Sequence, residues 1–359
     1  MKTFKKAVCL VICFCILFSF ASCKEKGRAA MTLGSTVISE GAYQYWVCSY
    51  KAQFMNQYSD MSDSDEFWGQ VLYDGVTAEE FLTDLVNEYV KMNLVSMYLF
   101  DKYGMKISSE DEKVANGIVS EFKEISGDDA KAFEKILSQY GVNEKTLKQI
   151  YLDEFKSTYV YNYVFENGIA TVTDEEKQDF LENNYVRIRH IYINNSYNYD
   201  ESSYDSDGNF IKVPLDEETK AKQDAKVESV RKALSSGEDF DEVYEKYSEE
   251  TAYKNGYYIC SKTEDLPSEL IVKSFTLETG ESCEFESEYG THFIKRLEMD
   301  EGAWKSTSNE DFFTTFTDDV YENVFMELMR SYFDEITVNE EVINEYPIRD
   351  ALPNWSYQY

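Results

Sequence analysis

Near residue 184 the apolar residues of this chain stop recurring at three-and-four spacing and begin to alternate, and after Asp300 the helical period returns. A chain patterned in this way folds into helical flanks around a mixed middle, so its class is α+β. In the first flank, Tyr43, Trp46, Tyr50 and Phe54 form one stripe on a helix beginning near Glu40. Thr77-Ala78-Glu79-Glu80 is a capping box that opens a long helix carrying Phe81, Leu85, Tyr89, Met92, Leu99 and Tyr103, and Gly104 closes it. Ser109 with Glu112 starts the next helix, Gly141 ends a further one, and Asn143 caps a fourth that runs to about Phe165. A second capping box, Thr173 with Glu176, opens a short helix that reaches roughly Asn183.

The middle opens with Tyr-Val-Arg-Ile-Arg-His-Ile-Tyr-Ile at residues 185–193. Val186, Ile188, His190 and Tyr192 share one face of this strand. Residues 194–214 are acidic and rich in Tyr and Ser, with no usable period, and read as a long exposed loop. Two helices follow, one carrying Val227, Val230 and Leu234 up to Gly237, the other Phe240, Val243, Tyr244 and Tyr247. A helical segment at residues 267–275 precedes two strands, near residues 283–286 and 291–297. Beyond Asp300, Phe312, Phe313, Phe316, Val320, Val324, Leu328 and Tyr332 predict one long helix, and Ile336-Thr337-Val338 a returning strand. The predicted division is a signal at residues 1–22, a tether at 23–36, a helical part at 37–183, a mixed domain at 184–300, a helix at 301–345 that completes the helical part, and a tail at 346–359.

Lys2, Lys5 and Lys6 precede an apolar run at residues 7–20 that suits the h-region of a signal peptide and is short for a membrane span. The run ends in Phe20-Ala21-Ser22-Cys23, which resembles a bacterial lipobox and predicts a lipid on Cys23. Polar Lys24-Glu25-Lys26-Gly27 follows. Removing residues 1–22 takes three lysines and no acids from a net charge of −33, leaving −36. That charge repels nucleic acid and anionic lipid, and attracts basic unfolded chains from a distance. Outside the signal the cysteines are Cys23, Cys48, Cys260 and Cys283, with no CxxC pair and no metal-ligand spacing, so no metal is expected. A Cys260–Cys283 bridge and free thiols fit the sequence equally.

The chain's two histidines, His190 and His292, fall on separate predicted strands of the middle domain. Around them stand Arg189-His190-Ile191, Gly237-Glu238-Asp239-Phe240, Tyr247-Ser248, Phe275-Thr276-Leu277-Glu278-Thr279-Gly280-Glu281, and Tyr289-Gly290-Thr291-His292-Phe293-Ile294. In this order and with this secondary structure, the segments resemble the parvulin (PpiC or rotamase) family of peptidyl-prolyl isomerases. The order helices, parvulin segment, helix is similar to foldase lipoproteins of the PrsA type and, more loosely, to SurA-type periplasmic chaperones, in which both flanks fold as one domain.

The resemblance implies rotation about X-Pro bonds, whose barrier is about 18–20 kcal/mol because amide resonance must be broken. Such chemistry needs an apolar pocket for a twisted amide and no cofactor. The family pattern places His190 and His292 at the floor of the site as residues that hold their neighbours in place. It puts an acid at Glu250, and a proline-ring pocket at Leu266, Leu270 and Phe275 with Ile188. Leu266 and Leu270 stand where the family has Met and Phe, and the usual Gly-rich turn is reduced to Asn255-Gly256-Tyr257-Tyr258. Three functions therefore stay open: an isomerase with chaperone binding, a holdase that binds without turnover, or a structural or adhesive surface lipoprotein. In either of the first two cases the expected partners are unfolded or partly folded secreted proteins with X-Pro segments, and a membrane reached through the lipid. The acidic residues after His190 argue against phosphate recognition, which needs cationic donors.

Overall fold

The computed structural model describes residues 27–354 apart from 59–61, 74, 128, 205–209, 264 and 265. The signal segment and Cys23 lie outside the described residues. The chain divides into two units, one made of residues up to Thr171 together with those from Val324 onward, the other of Val172–Asn323.

Residues 29–36, read as tether, instead fold with their neighbours into a hairpin, β1 (Ala29–Leu33) and β2 (Thr36–Ser39). Ala30, Met31, Leu33 and Ile38 are buried in it, which is why the segment is ordered. Ser39 caps α1 (Glu40–Gln57), whose Tyr43, Trp46 and Phe54 are buried as the stripe predicts. A short helix, α2 (Asp65–Trp68), and a small hairpin, β3 (Val71–Tyr73) and β4 (Val76–Thr77), lead into α3 (Ala78–Lys102). Both bonds of the Thr77/Glu80 capping box are formed, and Leu82, Val86, Val90 and Leu94 make a fully buried row along α3. Truncating one of these leucines to alanine costs about 2–5 kcal/mol. Helices α4 (Ser109–Ile125), α5 (Ala130–Gln139) and α6 (Glu144–Glu166) follow, and α3 and α4 both pack on α6.

The second unit begins with α7 (Asp174–Asn184), again opened by a complete capping box, at Thr173 and Glu176. It therefore starts before residue 184, because Phe180 packs on Tyr185 and Phe316 within this unit. Strand β5 (Tyr185–Ile193) is nearly continuously buried, since both of its faces are covered. Residues 194–214 are corrected from loop to hairpin: β6 (Tyr197–Tyr204) pairs antiparallel with β7 (Phe210–Pro214). Its side chains are largely exposed, so no apolar alternation marks it in the sequence. Helices α8 (Glu217–Ser235) and α9 (Phe240–Tyr247) cover one face of β5, burying Val227, Val230, Val243 and Tyr244 against Ile191, Ile193 and Phe293.

The reduced turn ends in a strand the sequence reading missed, β8 (Tyr257–Cys260), and α10 (Ser268–Thr276), β9 (Ser282–Ser287) and β10 (Gly290–Leu297) complete the domain. The sheet order is β8-β5-β10-β9, antiparallel throughout. The face away from α8 and α9 buries Val186, Ile188, Tyr257, Ile259, Leu270, Phe285 and Ile294.

The helix expected from Phe312 starts only at Phe316. Phe312 and Phe313 lie in a 3-10 turn and against it, their rings packed on Tyr257, Tyr258 and Tyr185. Residues 301–323 thus belong with the middle unit rather than the flanks. Helix α11 (Phe316–Arg330) leads back to the first unit, where β11 (Thr337–Val338) pairs with β1 as Met31↔Val338. The residues read as tail are folded too. After α12 (Glu340–Ile343), Ile348 is buried, the Asn354 N–H donates to the Cys48 carbonyl (3.0 Å), and the buried Lys51 ammonium donates to the Arg349 carbonyl (2.7 Å). The fold is α+β, a helical domain built from both flanks with a mixed α/β domain inserted between them. Cys48, Cys260 and Cys283 are free. Among the described residues no helix is long and apolar enough to cross a membrane.

Candidate functional site

The register of β5 and β10 sets Tyr192 opposite His292 and His190 opposite Ile294, so the two histidines are diagonal neighbours on one face of the sheet. Their rings lie 5.1 Å apart and nearly parallel, which brings His190 Nε2 within 2.9 Å of His292 Nδ1. On the next strand Phe285 stands opposite His292 and stacks on it, with centroids 4.7 Å apart.

Each ring meets a hydroxyl at its outer nitrogen: Tyr257 at 3.1 Å from His190 Nδ1, and Ser287 Oγ at 2.7 Å from His292 Nε2. Ser287 Oγ also accepts the Tyr289 N–H (3.1 Å). Burial disfavours the imidazolium, and for His190 the neighbouring ring adds to this, lowering the pKa to about 3 for His190 and about 4 for His292. Both rings are therefore neutral near pH 7. A neutral imidazole has one N–H, so the chain of hydrogen bonds runs in a single direction, from Tyr257 to Ser287 or the reverse.

Glycine is required at two places around this network. Gly290 has φ 145°, and a Cβ there would sit 2.3 Å from the Ile193 carbonyl oxygen, so the Tyr289-Gly290 step lets β10 lie against the end of β5. Gly256 has φ 79°, and a Cβ would meet the Ile188 carbonyl at 2.6 Å, just before Tyr257 enters β8.

A cleft of about 430 Å³ opens over the histidine pair, walled by Tyr192, Tyr197, Leu266, Pro267 and Tyr289. The Tyr192 hydroxyl donates to the Tyr289 carbonyl (2.7 Å), holding the wall to the β9–β10 turn. The Tyr192 N–H donates to Ser248 Oγ (3.3 Å), which accounts for the serine of the Tyr247-Ser248 step. The Gly280-Glu281 step is tied to β10 through Gly280 N–H to the Arg296 carbonyl (2.8 Å).

Of the residues the sequence singled out, His190, His292 and Leu266 meet at the cleft. Ile188 and Leu270 do not reach it, because both are fully buried in the sheet core beneath. Phe275 is 37 % exposed at the end of α10 and does not line the cleft. Glu250 turns its carboxylate to backbone, accepting the Ala252 and Tyr253 N–H groups at 2.5 and 3.2 Å. Its charge acts after burial in raising the Tyr257 phenol above its ordinary range, which keeps that hydroxyl protonated beside His190. Tyr192, Tyr197, Tyr257, Pro267, Phe285, Ser287 and Tyr289 were missed. The alternation that placed His190 and Tyr192 on one face and the Tyr289-Gly290-Thr291-His292 segment were the signals that could have found members of this set.

Residues 210–298 match the model of the PPIC-type PPIASE domain, the rotamase family. The chain contains a parvulin-type rotamase domain. The match includes His292 and begins after His190, which the sheet brings beside it. A foldase protein PrsA of Clostridium kluyveri is 25 % identical over 239 residues, an alignment that spans 64 % of this chain and 63 % of that relative. Crystal structures of PrsA from Bacillus subtilis (20 % identity, 76 % of this chain and 87 % of that one) and from Streptococcus pneumoniae (17 %, 77 % and 97 %) each align at a TM-score of 0.24. A SurA-like chaperone structure from Campylobacter jejuni aligns at the same score with 9 % identity, over 87 % of this chain and 98 % of that one.

Proposed function

We propose that this protein is an extracytoplasmic foldase, held to the membrane by a lipid on Cys23, whose rotamase domain binds X-Pro segments of unfolded secreted chains and speeds their cis/trans exchange. The observation that carries this reading is the pair of neutral, mutually bonded histidines flooring a cleft with apolar and aromatic walls. A twisted X-Pro amide has lost its charge separation and is favoured where water is excluded, so a dry, uncharged floor lowers the barrier without forming a covalent bond. His190 and His292 act as positioning residues that fix Tyr257, Ser287 and the wall. Uncatalysed exchange takes about 10–100 s, slow enough to limit the folding of a secreted chain. The relative's name, foldase, supports assistance to folding, and the flank domain is the candidate chaperone surface.

A second reading, a holdase without turnover, draws on the withdrawal of Leu270 and Phe275 from the cleft, which leaves Leu266 and Pro267 as its aliphatic wall. Exchange spectroscopy on a short X-Pro peptide separates the two. The isomerase reading expects cross-peaks that grow with the mature protein and weaken with His292→Ala or Leu266→Ala. A wild-type rate equal to the uncatalysed rate, with aggregation of an unfolded client still suppressed, would establish the holdase instead.

A further inference from the structure

The β6–β7 hairpin sets Tyr197 opposite Pro214 and Tyr199 opposite Lys212, so both tyrosines and the lysine share one face. That face runs into the cleft, because Tyr197 also lines the cleft and stands edge-on to Tyr289 of its wall, with centroids 6.4 Å apart. The Lys212 ammonium sits 4.1 Å from the Tyr289 ring centroid and 5.0 Å from that of Tyr197, with Glu288 Oε2 at 3.4 Å. The Tyr199 ring stands edge-on to Tyr197, with centroids 5.2 Å apart. Two ring faces and a carboxylate around one point make a receptor for a cation.

Lys212 fills this receptor without being locked in it. Its side chain is 37 % exposed and its partner Glu288 is 71 % exposed, and an ion pair so open to water holds weakly. Neither hydroxyl of the tyrosine pair bonds to Lys212; each faces the other at 3.4 Å. The surrounding chain carries a net charge of −33, which favours a positively charged arrival over any other.

We propose that the Tyr197–Tyr289–Glu288 cage is a specificity subsite for a lysine or arginine flanking the client's proline, and that Lys212 is its resident occupant, displaced when such a client binds. This rests on the reading of the adjacent cleft as a proline-peptide site. It extends that reading by naming the favoured clients, segments in which a basic residue lies next to the X-Pro bond. Guanidinium is the better guest, since it stacks flat on a phenol ring and pairs with carboxylate through two N–H groups.

The test is fluorescence anisotropy of labelled Ala-Pro peptides that differ only in an Arg, Gln or Glu beside the dipeptide, titrated with the full-length mature protein. Lys212→Gln empties the cage and is expected to raise the Arg-over-Gln affinity ratio roughly two- to fivefold, with an unchanged urea unfolding midpoint as the control for folding. Glu288→Gln is expected to lower the ratio, while Glu278→Gln, the same charge change at the far end of the β9–β10 hairpin, leaves it as in wild type. Binding of all peptides with a ratio unmoved by Lys212→Gln, or moved equally by Glu288→Gln and Glu278→Gln, overturns the subsite and leaves the proline site standing. Failure of every peptide to bind overturns the proline-site reading and this one with it.

Discussion

Ser287 Oγ lies 2.7 Å from His292 Nε2 and closes a run of hydrogen bonds that starts 67 positions from His190, at the Tyr257 hydroxyl. Because every member has one proton to give along the run, the two rings are coupled in tautomer. Tyr257→Phe should remove the hydrogen-bond partner of a buried nitrogen at about 1–2 kcal/mol, and Ser287→Ala about 1 kcal/mol. Nitrogen chemical shifts of the imidazoles should show both rings changing tautomer population together in each variant. A shift confined to one ring would break the coupling.

Acid should weaken the rotamase domain through these same rings. An unfolded histidine titrates near 6.5, whereas the folded ones titrate at about 3 and about 4. Above pH 6.5 neither state binds the proton and the histidines contribute no slope. Between 6.5 and 4 only the unfolded chain takes it up, so stability falls by up to about 1.4 kcal/mol per pH unit for each histidine. Urea midpoints at pH 7.5, 6 and 5 should therefore decline in wild type and decline less in His190→Gln and His292→Gln.

Leu266 and Leu270 are four residues apart and should separate binding from stability. Leu270 is fully buried, so Leu270→Ala is expected to destabilise the domain by about 2–5 kcal/mol. Leu266 borders the cleft, and its truncation should lower peptide affinity with a stability change under about 1 kcal/mol. Paired denaturation and peptide-binding curves decide the assignment, and equal stability losses would contradict it.

Lys51 is 1 % exposed, with its ammonium on Asp63 (2.9 Å) and the Arg349 carbonyl, over the Trp68 ring. Lys51→Ala removes the ammonium donor from the Arg349 carbonyl and from Asp63, whose half-exposed carboxylate keeps the Trp68 indole N–H (2.6 Å), and the expected loss is about 1–3 kcal/mol. Tryptophan fluorescence should register the change through Trp68, while the imidazole signals of His190 and His292 keep their wild-type positions.

Cys23→Ser should move the protein from the membrane fraction to the supernatant of exporting cells, with the mature mass reduced by the lipid. Continued sedimentation with membranes would remove the lipid from the functional account.

The sequence made the helices legible through their punctuation: Thr77, Asn143 and Thr173 cap where expected because side-chain and backbone donors are matched locally. Strands β5 and β10 showed because short runs rich in β-branched and aromatic residues fill them, as a strand covered on both faces requires, and the two histidines announced themselves by scarcity. What escaped had no such pressure. β6 and β7 are solvated on much of their surface, so composition masked them. β8 is only four residues long and hides behind Gly256. Glu250 has the residue type of a catalytic acid, and only its distances to Ala252 and Tyr253 reveal a turn cap. Whether Leu270 faces a ligand or a core is set by sheet stacking, which a linear pattern does not encode.

Met31 pairs with Val338, and Thr32 with Thr337, across almost the whole length of the chain. A polypeptide made from its N-terminus presents β1 long before its partner exists, with one strand edge bare and Met31 without its cover. The inserted domain closes on contacts internal to residues 172–323 and has no such wait. The β1–β11 pairing therefore closes after the insert has been made, because a contact between distant positions cannot form until the chain that joins them is complete. A protein of this design spends its own early life as an unfinished chain with an open edge, in the same condition as the molecules we propose it serves.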